Sequence, residues 1–537
     1  MQLKKKYPIR LSDLWFCNED DDNICLFSDK DLRLNNYHLN KIGSYIWKYC
    51  TGSYSNIDIT NNLLGVLDGV KPSFDELLFD VNSYLLELKE NNLIDWNCDE
   101  FLDVLFVIPP YPNIYSSKVI DNPEYSSPPL GVAYIAAVLK ADQFNVSIYD
   151  MHILASKPED IIEQYRKTKP KIVAISSTTP TFPNALKIAK LLKAWDENVL
   201  IVIGGSHATS LPDECIKPES VDYVVIGEGE NTMLELAKSI IRSAFEIKDI
   251  KGVVYKGADG RIRFTEPRIR ISELDTLPYP ARELLDIDAY FQKGSIISSR
   301  GCPYKCNYCS CGVIAGHTYR THSVNYVLNE IEFLTHKYGF KHYDFHDDTF
   351  NLISERVYSF CSEIKNRKMN FKWGCFCRVS NFNVEIASAM KKTGCEVVQF
   401  GVESGNQQVL NSINKQIHLK DVEDAVIAAS KAGITRIVCG FIIGHADDTE
   451  ETVNDTIAFG VKLVELGATN LTISVLTPYP GTEVYNNLGK NGINLLTNDW
   501  EQFIFSRVVI ETDKITKEKL RELYARGVYR FVEATRG

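Results

Sequence analysis

The stretch Ile297–Cys311, "ISSRGCPYKCNYCSC", holds four of the chain's fourteen cysteines within ten residues. Three of them, Cys302, Cys306 and Cys309, are spaced C-x3-C-x2-C. A structural zinc site asks for a fourth ligand in tetrahedral reach, and Cys311, two residues past Cys309, is awkwardly spaced for that. Three thiolates in one loop suit a 4Fe-4S cluster, where three cysteines leave one iron open to a substrate or cofactor. An apolar, strand-like run precedes the loop. The loop therefore falls at a strand's C-terminal end, the rim where βα-barrels carry their chemistry.

Working outward, "GSIISSR", "HYDFHDD", "KWGCFCR", "EVVQFGVES", "TRIVCGFIIG" and "NLTISVLTPYP" read as six strands alternating with helices over residues 291–490. Six units are too few for an eight-stranded barrel, so an open partial (β/α)6 TIM-like barrel is expected, followed by a short helical tail over 491–537. Upstream, "FLDVLFVIPP", "FNVSIYD", "KIVAISS", "NVLIVIGG" and "DYVVIGEGE" are short β-branched runs separated by helical patterns such as "FPNALKIAKLLKAW". That alternation predicts a doubly wound, Rossmann-like parallel sheet over 97–242, with glycines at strand ends where such sheets bind ligands. Residues 243–290 read as a connecting segment, with "GADGRIR" as a hairpin turn and "LDTLPYPARELLD" as a proline-rich loop. Residues 1–96 read as a small winged-helix-like α+β domain. "DLWFCNEDDDNICLF" gives two strands around the acidic turn Glu19–Asp22, and three amphipathic helical patterns follow, the third opened by a Ser73–Glu76 capping box. The fold class is α/β.

Composition narrows the function. The 537 residues are 45% hydrophobic and 24% charged, with a formal net charge of −11. No long basic block offsets that charge, so nucleic acid is not an expected partner. No apolar run reaches the roughly 18 residues that span a bilayer, and no apolar segment follows the basic N-terminus as in a signal peptide. Free or metal-ligating cysteines and a cytoplasmic location are expected.

The three-cysteine loop and the strands behind it resemble the radical S-adenosylmethionine (SAM) superfamily. The resemblance implies that Cys302, Cys306 and Cys309 hold the cluster. It further implies that Tyr308 lies beside the adenine, that Asp348 of "FHDDTF" meets the SAM amino group, and that Arg378 of "CFCRVS" is the basic residue of the third strand. Glu403 of "FGVESG" would face the ribose or methionine, and Gly440 and Gly444 of "GFIIG" would give a backbone contact to adenine. "LTPYPGT", with Tyr479, ends the sixth strand. "GHADDTEE" departs from the pattern, because relatives usually carry a proline there. Cys361, Cys395 and Cys439 read as core residues, and Cys375 and Cys377 as facing opposite sides of one strand. Cys311 is the candidate for an extra role, as hydrogen-atom donor or further ligand.

"PPLGVAYIAAVL", "AISSTT", "VIGGSHAT" and "VIGEGEN" resemble, in order, the loops of the cobalamin-binding domain of cobalamin-dependent radical SAM enzymes. The implied contacts are Leu130, Gly131, Ser176, Ser177, Gly204, Gly205, Ser206, His207, Gly227, Glu228, Gly229 and Glu230. Many cobalamin proteins ligate cobalt with the histidine of D-x-H-x-x-G after the first strand. Here that place reads "PPYPNIYSS", and "DMHILA", with His152, follows the second strand instead. Base-off cobalamin with no protein ligand to cobalt is therefore expected.

Most of residues 11–96, including Trp47 and the closing "LKENNLID", resembles the peptide-recognition element of pathways for ribosomally made, post-translationally modified peptides (RiPPs). Its nearest likeness is to the D-type chaperones of pyrroloquinoline quinone synthesis. The resemblance implies that a leader peptide adds a strand to the sheet edge and packs on the third helix. Together these likenesses imply C-methylation of an unactivated peptide carbon by way of methylcobalamin and a 5′-deoxyadenosyl radical. The expected partners are a ribosomal precursor peptide and an electron donor of the flavodoxin or ferredoxin type. Cyclisation, oxidation or cross-linking of a peptide, and action on a small metabolite with residues 1–96 merely structural, stand as alternatives. An intact three-cysteine loop argues against a regulatory binder with vestigial sites.

Overall fold

The structure, a computed structural model, describes residues 7–10, 14–18, 24–28, 37–39, 41–50, 56–67, 72–90, 94–97, 102–112 and 126–536. The chain divides into two compact units, Met1–Leu102 with Arg166–Lys169, and Asp103–Tyr165 with Pro170–Gly537.

The first unit carries a three-stranded antiparallel sheet of Leu14–Asn18, Ile24–Ser28 and Tyr37–Leu39. The third of these strands was not separately expected. Three helices follow, Lys41–Tyr49, Asn56–Val66 and Phe74–Glu90, and Tyr7–Arg10 pairs antiparallel with Ile94–Asn97. On the third helix, Leu77, Val81, Leu85 and Leu88 form one buried stripe against Trp47, Ile59 and Leu63, the spacing an amphipathic helix needs. Ser73 caps this helix: its Oγ accepts from the Glu76 N–H at 3.3 Å, while Glu76 Oε2 accepts from the Ser73 N–H at 3.0 Å. The acidic turn Glu19–Asp22 and residues 91–93 of "LKENNLID" lie outside the described residues.

The second unit holds two large sheets, one mixed and one parallel. In the first, the strands run Ile262–Phe264, Val253–Lys256, Tyr223–Val225, Leu200–Gly204, Ile172–Ser176, Val104–Ile108, Val146–Asp150. The strand order reverses beside Val104–Ile108, which makes the C-terminal ends around it the place for a ligand. The hairpin 253–264 joins this sheet antiparallel to Tyr223–Val225. The segment read as a connector thus supplies two edge strands of the domain before it. Ile262, Arg263 and Phe264 are all exposed, so the outer strand carries no alternation to betray it.

The second sheet is the partial barrel: Ser295–Ile296, His342–Phe345, Lys372–Cys377, Cys395–Glu403, Arg436–Ile443 and Asn470–Val475, each parallel to the next. The tail first forms a hairpin, Ile493–Leu495 with Ile510–Thr512. Its helix, Lys517–Arg536, then packs Phe531 against Phe441, ring centres 5.3 Å apart. Gly460 permits this approach, since a Cβ there would lie 2.5 Å from the Phe531 ring. Among the described residues no helix is long and apolar enough to cross a membrane.

Candidate functional site

The three cysteines sit where the first barrel strand ends. Cys302 N–H donates to Gly316 O at 3.2 Å, Cys309 N–H to Cys306 O at 3.1 Å, and Cys311 N–H to Cys309 Sγ at 3.4 Å. Burial pushes the Cys309 thiol up to about 11, against the pull of the Cys311 N–H and with help from Cys306, Asp348 and Cys302. Thiolates gathered this closely repel one another until a cation joins them, which fits an iron–sulfur cluster. Among the described residues no three His, Cys, Asp or Glu side chains could hold a single metal ion. Burial, followed by the charge of Asp348, also pushes the Cys311 thiol up strongly.

Behind the loop lie the residues matched to SAM. Asp348 Oδ2 accepts the Gly301 N–H at 3.2 Å. Glu403 ends the fourth strand at φ +71°, unusual for a non-glycine residue, and its Oε1 meets Lys415 Nζ at 2.7 Å. Lys415 also reaches the Tyr308 hydroxyl at 3.4 Å. Burial and the Glu403 charge hold that hydroxyl well above its ordinary value. The buried ring of His445 stands 5.6 Å from that of Tyr308. Arg378 stacks over Tyr304 at 3.5 Å and donates to the carbonyls of Lys415 and Gln416, so it holds the loop that presents Lys415. Gly440 lies mid-strand, where a Cβ would be 3.4 Å from Thr472 Oγ1, whereas Gly444 backs onto Leu520 of the tail helix. In "GHADDTEE", Asp448 shapes the loop. Its carboxylate accepts the N–H groups of Gly444 and His445 and the Thr452 hydroxyl at 2.8, 3.0 and 2.9 Å.

Cys375 and Cys377 do not face opposite sides. Residues two apart on a strand share a face, both are buried, and their Sγ atoms lie 3.5 Å apart.

A cavity of about 310 Å³ opens at the C-terminal ends of the first sheet and reaches the barrel. Phe106, Val132, Ala174, Val202, Val225 and Met233 give it an apolar floor. Gly131, Ser176, Gly204, Gly205, Gly227 and Gly229 form the rim, and Ser299, Arg300, His346 and Asp348 the barrel wall. Gly205 adopts φ +99° with a Cβ position only 2.5 Å from Ser177 O, so no side chain fits there.

The B12 binding domain family matches residues 116–237 and the Radical SAM superfamily residues 296–460. An uncharacterized methyltransferase of Pyrococcus horikoshii is 35% identical over 435 residues, 80% of this chain and 92% of that protein. The chain belongs to the cobalamin-dependent radical SAM enzymes. An anaerobic magnesium-protoporphyrin IX monomethyl ester cyclase of Rubrivivax gelatinosus is 25% identical over 442 residues, 80% of this chain and 77% of that one. Among solved structures, the radical SAM methyltransferase TsrM of Kitasatospora setae, with cobalamin and a [4Fe-4S] cluster bound, superposes at TM-score 0.62 and 18% identity, covering 80% of this chain and 88% of its own.

For a member of this family, the cavity suits cobalamin. Its glycine rim lets a large ring approach the backbone, and its apolar floor suits the detached nucleotide base. Not every residue matched to cobalamin lines it. Leu130 packs with Tyr134 and Leu277, and Ser177 is buried. Ser206 lines a neighbouring 210 Å³ pocket with Tyr111, Thr178 and Tyr479. The His207 ring is fully buried between Phe182 and Trp500, ring centres 4.2 and 5.3 Å away, with Nδ1 3.2 Å from Thr179 Oγ1. It is a core residue, and burial lowers its pKa to about 4. His152 is exposed, edge-on to Tyr111 at 5.1 Å. Residues 113–117 of "PPYPNIYSS" lie outside the described residues.

Glu228 and Glu230 line the cavity but are engaged elsewhere. Arg300 meets Glu228 at 3.2 Å and Glu230 at 2.7 Å, and Arg320 meets Glu228 at 2.9 Å. All four side chains are largely buried, so the "GEGE" loop ties the cobalamin domain to the antiparallel pair Ser299–Arg300 and Arg320–Thr321 that follows the first barrel strand. Sequence reasoning missed Arg300, Arg320, Lys415 and His346. A charged Arg300 at the end of an apolar strand, ahead of the cysteines, was the one available signal. Nothing local marks Lys415.

Proposed function

We propose that the protein transfers a methyl group from SAM to an unactivated carbon of a ribosomally made peptide. The observation that carries this reading is the single cavity whose rim is the glycine loops of the cobalamin domain and whose far wall is Asp348 and its barrel neighbours. When bound, the cluster and cobalamin supply reductive cleavage of SAM and a methyl-carrying metal. The protein's own residues position these groups. Asp348 lies within reach of both the cysteine loop and the cavity. The Glu403–Lys415 pair, buried beside Tyr308, would hold the polar end of SAM by charge and hydrogen bond. The apolar floor keeps water from the reacting centre.

The peptide substrate rests on the first unit. Phe79 and Leu86, seven residues apart on one face of its third helix, are 72% and 45% exposed. Among the described residues the outer strands of its three-stranded sheet pair with no further strand. Exposed apolar side chains on a helix, with outer strands that take no further partner among the described residues, suit the mode by which small domains add a peptide strand. Incubation with the precursor peptide, a reductant and methyl-deuterated SAM tests the proposal. We expect the peptide to gain one intact labelled methyl, with 5′-deoxyadenosine and S-adenosylhomocysteine both formed. The likeness to a cyclase supports a second reading. It predicts deoxyadenosine and a peptide altered in mass without the label.

A further inference from the structure

Glu228 and Glu230, two carboxylates on the cavity wall, are neutralised by Arg300 and Arg320. Asp348 accepts the Gly301 N–H. Two further polar side chains stand on the barrel wall of the cavity, and the reading above gives neither a role: Ser299, and His346, one residue past the second barrel strand, whose ring reaches further than a hydroxyl.

The Ser295 hydroxyl lies 2.7 Å from Gln292 O and 3.0 Å from His346 Nε2, so it holds the ring at Nε2. Burial lowers the ring's pKa against the opposing charges of Asp344 and Asp347, which favours the neutral imidazole. Nδ1 is then the ring nitrogen left for a ligand, in the wall opposite the glycine rim.

Which group of the ligand would meet it follows from chemistry. A corrin ring carries carboxamides around its edge, and each needs an acceptor for its N–H groups when it leaves water. Backbone at a glycine rim supplies such partners on one side, and the barrel wall must supply them on the other. We propose that His346 is a cobalamin-positioning residue whose Nδ1 accepts a hydrogen bond from a peripheral carboxamide of the corrin. This rests on cobalamin occupying the cavity.

Equilibrium dialysis of the cluster-reconstituted full chain against hydroxocobalamin tests it, with iron content and SAM binding measured on the same samples. One buried hydrogen bond is worth roughly tenfold in affinity. His346→Phe fills the ring's space without an acceptor and should weaken hydroxocobalamin binding about tenfold, leaving iron content and SAM binding unchanged. His346→Gln, which offers an amide oxygen, should recover most of the loss. Ser295→Ala, which removes the partner at Nε2, should fall between. Wild-type affinity in His346→Phe would overturn the proposal, as would equal losses in His346→Phe and His346→Gln, which would show a packing role. No binding by the wild type would instead overturn the assignment of the cavity to cobalamin, and the proposal with it.

Discussion

At the scale of single residues, the cysteine loop makes the sharpest demand. Replacing Cys302, Cys306 or Cys309 by alanine removes a ligand the cluster cannot replace, because Cys311, two residues past Cys309, is awkwardly spaced to substitute. We expect each single variant to lose most of its iron and all SAM cleavage, and Cys311→Ala to keep its iron. Iron assays and deoxyadenosine production check this. A second expectation concerns pH. His207 and His322 are buried neutral, each with its pKa lowered from 6.5 to about 4 by burial. His322 stacks on Tyr326 at 4.0 Å and bonds Asp275 at 3.1 Å. Between those two values the unfolded chain binds protons that the folded chain refuses. Their contribution is therefore complete above pH 6.5 and lost as pH falls toward 4, by up to about 3 kcal/mol for each ring. Urea midpoints measured from pH 7 to pH 4.5 should fall steeply, and His322→Phe should flatten the slope.

At the scale of elements, the loop that follows Tyr223–Val225 is latched by Arg300 to the short strand Ser299–Arg300 beyond the first barrel strand. Removing one partner from a buried ion pair leaves the other unpaired, at a cost of about 3–5 kcal/mol. Arg300→Ala should lower thermal stability sharply. Arg300→Lys should recover little, because a lysine cannot reach Glu228 and Glu230 with two donors at once. Phe531→Ala should cost about 3 kcal/mol by leaving a cavity against Phe441 and Gly460. These two cases mark what the sequence could and could not say. The strand alternations, the cysteine spacing and the glycine loops are local patterns, and they foretold both sheets and most of the cavity rim. The turn of the hairpin 253–264 was read from "GADGRIR", but its pairing onto the first sheet was not, because its outer strand has no buried face. The two faces of Lys372–Cys377 were misread from the pleat. Lys415, His346 and the role of Glu228 and Glu230 come from contacts between distant segments. No local pattern encodes the fact that Lys415 finds Glu403 across a loop, or that Arg300 finds "GEGE" in the domain before it.

At the scale of the whole molecule, the proposed function assigns peptide capture to the first of the two compact units and the chemistry to the second. Deleting residues 1–96 should leave cobalamin and iron binding intact and weaken the precursor peptide's binding roughly a hundredfold, the worth of a few anchored hydrogen bonds and one apolar face. Unchanged peptide affinity in the truncated enzyme would remove the peptide-recognition reading while leaving the methyltransfer proposal in place. The proposed chemistry needs cobalamin in the cavity between the glycine rim and the strand end that carries Asp348, next to a cluster held by Cys302, Cys306 and Cys309. Anomalous difference maps at the cobalt and iron edges, from crystals of the reconstituted enzyme, locate both metals. We expect cobalt above Gly204, Gly205 and Gly227, facing His346 and Asp348, and iron at the three cysteines. Cobalt bound anywhere else, or iron held by another set of residues, would contradict this placement.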